Sequence, residues 1–101
     1  MGYKIWLDDI RPAPDKTWIH EETAEDMIAL MRQILDWGLE IEIISLDNDL
    51  GKGRMEGYKV LDWLESLMIP VNFEIHIHSA NPVARERMRT IIQHNGWKEL
   101  K

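Results

Sequence analysis

The chain has 101 residues, 45% of them hydrophobic, no cysteine, and a net charge of −6 with a pI near 5.1. That length supports one hydrophobic core, so a single domain over residues 1–101 is expected. The missing cysteines exclude disulfides, thiol catalysis and thiolate metal sites, and the acidic balance argues against a broad basic groove for duplex DNA.

In chain order, "YKIWL" (3–7) reads as a buried strand that stops at the adjacent carboxylates Asp8 and Asp9. "TWIH" (17–20) is a weaker strand candidate, reached through the proline-rich link "IRPAPDK". The spacing of Met27, Leu30, Met31, Ile34 and Leu35 predicts an amphipathic helix, with Thr23 as its N-cap and Gly38 as its left-handed stop. "IEIISLD" (41–47) is β-branched and reads as a strand. Val60, Leu61, Leu64, Leu67 and Met68 mark one face of a second helix, which ends before Pro70. "FEIHIHS" (73–79) alternates with period two. Asn81 followed by Pro82 marks the start of a last helix, Pro82 to His94, with Val83, Met88, Ile91 and Ile92 as its apolar stripe. The five tryptophans, at 6, 18, 37, 63 and 97, are scattered and read as core and rim residues, not as a base-stacking platform. With no leader pattern and no apolar run of about 18 residues, a cytoplasmic protein without membrane contact is expected.

Strands alternating with helices predict an α/β domain with a largely parallel sheet, whose ligands bind beyond the carboxyl ends of the strands. Those ends carry Asp8 and Asp9, then Asp47 and Asp49 in "SLDNDLG", then His78 to Asn81 in "HSAN". Four carboxylates at one edge raise each other's pKa unless a cation neutralises them, and oxygen-only donors suit a hard ion such as magnesium. The expected cofactor is therefore Mg2+, with Asp8, Asp9, Asp47 and Asp49 as candidate ligands. A calcium loop beginning at Asp47 is rejected, because its twelfth position is Tyr58, where a bidentate glutamate is required. His76 and His78 share one side of their strand, as a transition-metal pair, as an acid or base at His78, or as the polar face of an edge strand. Ser79 and the first turn of the last helix offer a hydroxyl and free N–H groups to a phosphate, with Arg85 one turn further on. "LGKGRMEG" (50–57) lacks the P-loop pattern and reads as a flexible loop, in which nothing demands a phosphate partner for Lys52 or Arg54.

This pattern resembles the receiver domain of response regulators, which has an acidic pair after its first strand, an aspartate ending the third, and a serine or threonine ending the fourth. The equivalents here are Asp8 and Asp9, then Asp47 or Asp49, then Ser79. Counting from "IEIISLD" favours Asp47, and counting back from Gly57 in "MEGYKVLDWL" favours Asp49. "WLDDIRPAP", "SLDNDLG", "GYKVLDWLE" and "HSANPVARERM" together are most similar to the divergent cyclic-phosphate processing receiver domains. The resemblance implies a receiver or flavodoxin-like fold of two or three layers, with about four mostly parallel strands in the order 2-1-3-4 and three helices. Set against a full receiver, the chain lacks the first helix, the fifth strand with its lysine, and the final helix. Right-handed crossovers then put the first two helices on one face, so the final helix, or a second subunit in a homo-oligomer, is expected to cover the other. The link from the first strand to "TWIH" is short for a parallel crossover, leaving the second strand antiparallel or barely formed.

The activity implied is a metal-assisted phosphoesterase that processes cyclic phosphate esters of nucleotides or RNA ends. In it Asp8, Asp9 and Asp47 or Asp49 hold the ion, and an aspartate or a water is the nucleophile. His78 protonates the leaving oxygen, while Arg11, Ser79 and Asn81 position the phosphate. The partner is then a phosphate-bearing small molecule or nucleotide. Two other classes stay open: a receiver-like nucleotide-binding or signalling module without catalysis, and a small interaction or inhibitor protein.

Overall fold

The computed structural model describes residues 2–101. Its elements run β1 (Tyr3–Leu7), β2 (Trp18–Glu21), α1 (Ala24–Asp36), β3 (Ile41–Leu46), α2 (Tyr58–Ser66), β4 (Glu74–Ile77), α3 (Pro82–His94) and β5 (Lys98–Leu100). The sheet is wholly parallel, in the order β2-β1-β3-β4-β5. The expected α/β receiver-like class and the relative order of the first four strands hold, with one strand more than expected.

That strand is β5, which pairs with β4 through Glu74↔Lys98 and His76↔Leu100. Three residues with one apolar side chain give no period-two signal to read. What secures them is tertiary: Glu99 accepts from Arg89 of α3 at 3.0–3.3 Å on the helix side of the sheet. The second strand is parallel as well, in register Lys4↔Trp18 to Leu7↔Glu21, so the antiparallel alternative is set aside. The short link manages this crossover without a helix. Asp8 Oδ1 accepts from the Ile10 and Arg11 N–H groups at 2.9 and 2.8 Å, turning the chain sharply. Trp6 Nε1–H then donates to the Arg11 carbonyl at 3.0 Å, pinning the loop against the sheet.

The connections β2 to β3, β3 to β4 and β4 to β5 all step the same way across the sheet, so right-handed crossovers place all three helices on one face. α1 packs on α2 and α2 on α3 accordingly. The final helix therefore does not fold over the second face. Met88 and Ile92 of α3 join one core with Met27, Met31, Val60, Leu61 and Leu64 of the other helices and Ile5, Leu7, Ile44, Leu46, Ile75 and Ile77 of the sheet. The opposite parity, Lys4, Trp6, Trp18, Ser45, His76 and His78, makes the other face.

The caps follow the sequence reading. Thr23 Oγ1 accepts from Asp26 N–H at 3.1 Å, and Asn81 Oδ1 accepts from Val83 and Ala84 N–H at 3.1 and 3.2 Å. Gly38 adopts φ 70°, as a left-handed stop requires. Two residues leave their expected stripes: Met68 lies past the end of α2 at φ 53° and 92% exposed, and Val83 in the first turn of α3 is 77% exposed.

Candidate functional site

The strand ladders continue one residue past their regular ends. Asp8 N–H donates to Glu21 O, Asp47 N–H to Leu7 O and His78 N–H to Leu46 O, at 3.0–3.1 Å. Since Leu7, Leu46 and Ile77 are in register, this sets Asp8, Asp47 and His78 side by side at the carboxyl edge. Residues from three distant segments thereby meet.

Asp8, Asp9 and Asp47 each offer a carboxylate oxygen within 4.8 Å of the others. Asp8 is 1% exposed, and both of its oxygens are engaged. Oδ1 takes the two loop N–H groups, while Oδ2 lies 3.1 Å from both Arg11 Nε and His78 Nε2. Arg11 Nη2 also lies 3.7 Å from Asp47 Oδ1. Asp9 contrasts with Asp8: its Oδ1 is buried and receives no hydrogen bond from any described residue.

Burial raises the Asp8 pKa, yet the Ile10 and Arg11 N–H groups, His78 and the Arg11 charge together hold it below the ordinary carboxylate value. Asp47 moves the other way. Burial and the charges of Asp8 and Asp49 raise it against the Asn48 N–H and Arg11. Burial pushes the His78 imidazole down to about 4, despite the neighbouring Asp8 carboxylate. The imidazole is therefore neutral near pH 7.

Asp49 does not join the three acids. It is exposed, and its carboxylate sits 3.4–3.5 Å from Asn81 Nδ2 and 3.4 Å from Asn48 Nδ2. Of the two candidates for the aspartate ending the third strand, Asp47 is the one that meets the acidic pair. Ser79 is buried, with Oγ accepting from Asn81 N–H at 3.1 Å and its carbonyl accepting from Arg85 Nη1 at 3.0 Å. Arg85 is thus turned to the backbone of the β4–α3 loop.

Three contributors escaped the sequence reading. Trp6 stacks on the His78 ring with centroids 3.8 Å apart and planes 3° from parallel. Ser45 is fully buried, and its Oγ lies 2.7 Å from Nδ1 of both His76 and His78. Its signal was a polar residue set between Ile44 and Leu46 in the apolar half of the strand. Asn48, 1% exposed, accepts from Tyr58 N–H at 3.0 Å and so caps α2, a task Gly57 cannot perform. Gly57 is required for space, because a Cβ there would lie 1.8 Å from the Asp47 carbonyl oxygen.

The donor set is hard and oxygen-rich, with three carboxylates facing one guanidinium and a neutral imidazole. A buried carboxylate oxygen without a donor is costly to desolvate, so these residues fit a divalent cation. No curated protein and no solved structure matches the chain. Residues 3–94 match the profile of the family described as cyclic-phosphate processing Receiver domain, and the chain belongs to that family.

Proposed function

We propose that the domain is a magnesium-assisted phosphoesterase acting on cyclic phosphate esters of nucleotides or RNA ends. The observation that carries this reading is the buried Asp9 Oδ1, without a hydrogen-bond partner among the described residues, beside Asp8 and Asp47. Asp8, Asp9 and Asp47 would hold the ion. Magnesium, when bound, polarises phosphoryl oxygens and orients an attacking water.

The chain's own groups then divide the remaining work. Arg11 is half exposed and lies between the acids and solvent, which suits it to a non-bridging phosphate oxygen. Opening a cyclic ester adds water across one ring P–O bond, and Asp49, exposed and outside the three-acid cluster, is the carboxylate available to take the water's proton and return it to the oxygen released from phosphorus. Ser79, Asn81 and Arg85 are engaged with one another and with Asp49, so they shape the rim of the site. On this reading His78 is assigned to Asp8 and not to the leaving oxygen. A neutral imidazole facing Asp8 has no acidic proton to spare, and instead holds that carboxylate in place.

The test is turnover of cyclic nucleotide phosphates against linear monoesters, with purified protein and magnesium. Conversion of the cyclic substrates, lost on chelation and in both Asp9→Asn and Asp47→Asn, is expected. Turnover indifferent to the chelator and to both substitutions refutes the reading. Magnesium and nucleotide binding without product would replace it with a receiver-like binding module.

A further inference from the structure

The non-helical face of the sheet carries a line of polar contacts leading into the acid cluster. His76 Nδ1 lies 2.7 Å from Ser45 Oγ, Ser45 Oγ lies 2.7 Å from His78 Nδ1, and His78 Nε2 lies 3.1 Å from Asp8 Oδ2. The two histidines are on β4 and just beyond it, the serine is on β3, and the aspartate directly follows β1. The shared parity of these positions points all four side chains to one side.

Donor and acceptor counting fixes the direction of this chain. An ionised carboxylate only accepts, so His78 Nε2 must carry the hydrogen shared with Asp8. The His78 side chain is 8% exposed and lies flat under Trp6, and Arg11 already supplies Asp8 with a countercharge at 3.1 Å. Charging a buried ring beside that guanidinium is unfavourable, so the ring is neutral and its Nδ1 accepts. The Ser45 hydroxyl has one hydrogen, which must go to His78 Nδ1. Ser45 Oγ can then only accept on its other side, so His76 must present Nδ1–H.

We infer that Ser45 and His76 are positioning residues, whose hydrogen-bond chain locks His78 as the Nε2–H tautomer and so fixes the orientation of the Asp8 carboxylate in the acid cluster. Trp6 completes the device, since its stacking sets the plane of the His78 ring while its Nε1–H is tied to the loop carbonyl of Arg11. The value of this arrangement for cation binding rests on the phosphoesterase reading above, but the tautomers do not. Carboxylate ligands are held in geometry by the groups that hydrogen-bond to them, and loss of such a group lowers metal affinity or activity roughly 10- to 100-fold.

The test is long-range proton–nitrogen correlation NMR of the histidine rings in the full chain at neutral pH. The expected pattern is a neutral Nε2–H His78 and a His76 that carries its hydrogen on Nδ1. Ser45→Ala should release His76 from the Nδ1–H form, with backbone spectra reporting that the fold persists. His76→Asn keeps an N–H near the Nδ1 position and should preserve the His78 signature, whereas His76→Leu should disturb it. Magnesium affinity by calorimetry should fall about 10- to 100-fold in Ser45→Ala and be largely retained in His76→Asn. A doubly protonated or Nδ1–H His78, or ring signals identical in Ser45→Ala and the parent, overturns the inference. The predicted tautomers in a protein that binds no magnesium would support the chain while refuting the metal site.

Discussion

His78 Nε2 lies 3.1 Å from Asp8 Oδ2 although 70 positions separate the two residues in sequence. The contact joins the carboxyl ends of two strands that are not neighbours in the sheet, with β3 between them. It also has a pH signature. The folded protein holds His78 neutral down to about 4, whereas the unfolded chain takes up the proton near 6.5. Between those values the unfolded state binds more protons, so the His78 contribution to stability is complete above about 6.5 and lost as pH falls toward 4. Urea denaturation across this window should show stability falling with acidification, with a shallower fall in His78→Gln. Direct NMR titration should find the His78 ring unresponsive near 6.5.

Asp9→Asn separates charge repulsion from cation binding. Asp8, Asp9 and Asp47 crowd together, so neutralising one should raise the melting temperature of the magnesium-free protein. The same substitution should abolish the stabilisation that magnesium gives the parent, about 2.7 kcal/mol when the ion is at 100 times its Kd. Thermal unfolding with and without magnesium, on both proteins, makes the comparison. A magnesium-induced rise equal in both would count against Asp9 as a ligand.

Gly57→Ala should be destabilising out of proportion to its size. The backbone there is ordinary, at φ −63°, so the cost is steric: the new methyl meets the Asp47 carbonyl oxygen at 1.8 Å. Relief requires the chain after β3 to move, at about 1–3 kcal/mol on the scale of overpacking. Because the displaced carbonyl belongs to Asp47, magnesium affinity should fall with stability. Chemical denaturation and calorimetry measure the two effects.

Trp6→Phe keeps an aromatic ring over His78 and removes the indole N–H bonded to Arg11 O. The loss should be about 1 kcal/mol of stability, with faster amide exchange at Ile10 and Arg11, whose N–H groups are held by the Asp8 turn. Hydrogen exchange followed by mass spectrometry resolves this loop from the rest of the domain.

Arg89→Ala should free the last strand without disturbing the acid cluster. Glu99 receives Arg89 at 3.0 Å from Nη2 and has no other guanidinium partner among the described residues. The expected result is rapid exchange over Lys98–Leu100 with unchanged protection at Asp47 and His78. Slow exchange throughout β5 would mean that pairing with β4 suffices to hold it.

The helices and the first, third and fourth strands were legible because each carries its own apolar run or period and, for α1 and α3, a capping residue that bonds as its type predicts. The convergence of Asp8, Asp47 and His78 was legible too, since a parallel sheet sends all its strand ends to one edge. The parallel direction of β2, the three-residue β5 and the choice between Asp47 and Asp49 were not. Each depends on a contact that lies outside the segment's own pattern: the Trp6–Arg11 bond, the Arg89–Glu99 pair and the register of Leu7 with Leu46.

The order of residues along the chain thus determined which chemistry gathers at the sheet edge, because local periodicity and strand polarity are properties of short segments. Tertiary structure alone decided which of those groups touch. It drew Asp9 and Asp47 to Asp8, left Asp49 at the rim, and buried Ser45 between two histidines. The physical reason is that hydrogen-bond reach is only about 3 Å, so a one-residue difference in register, invisible to pattern reading, separates a buried partner from a solvated neighbour.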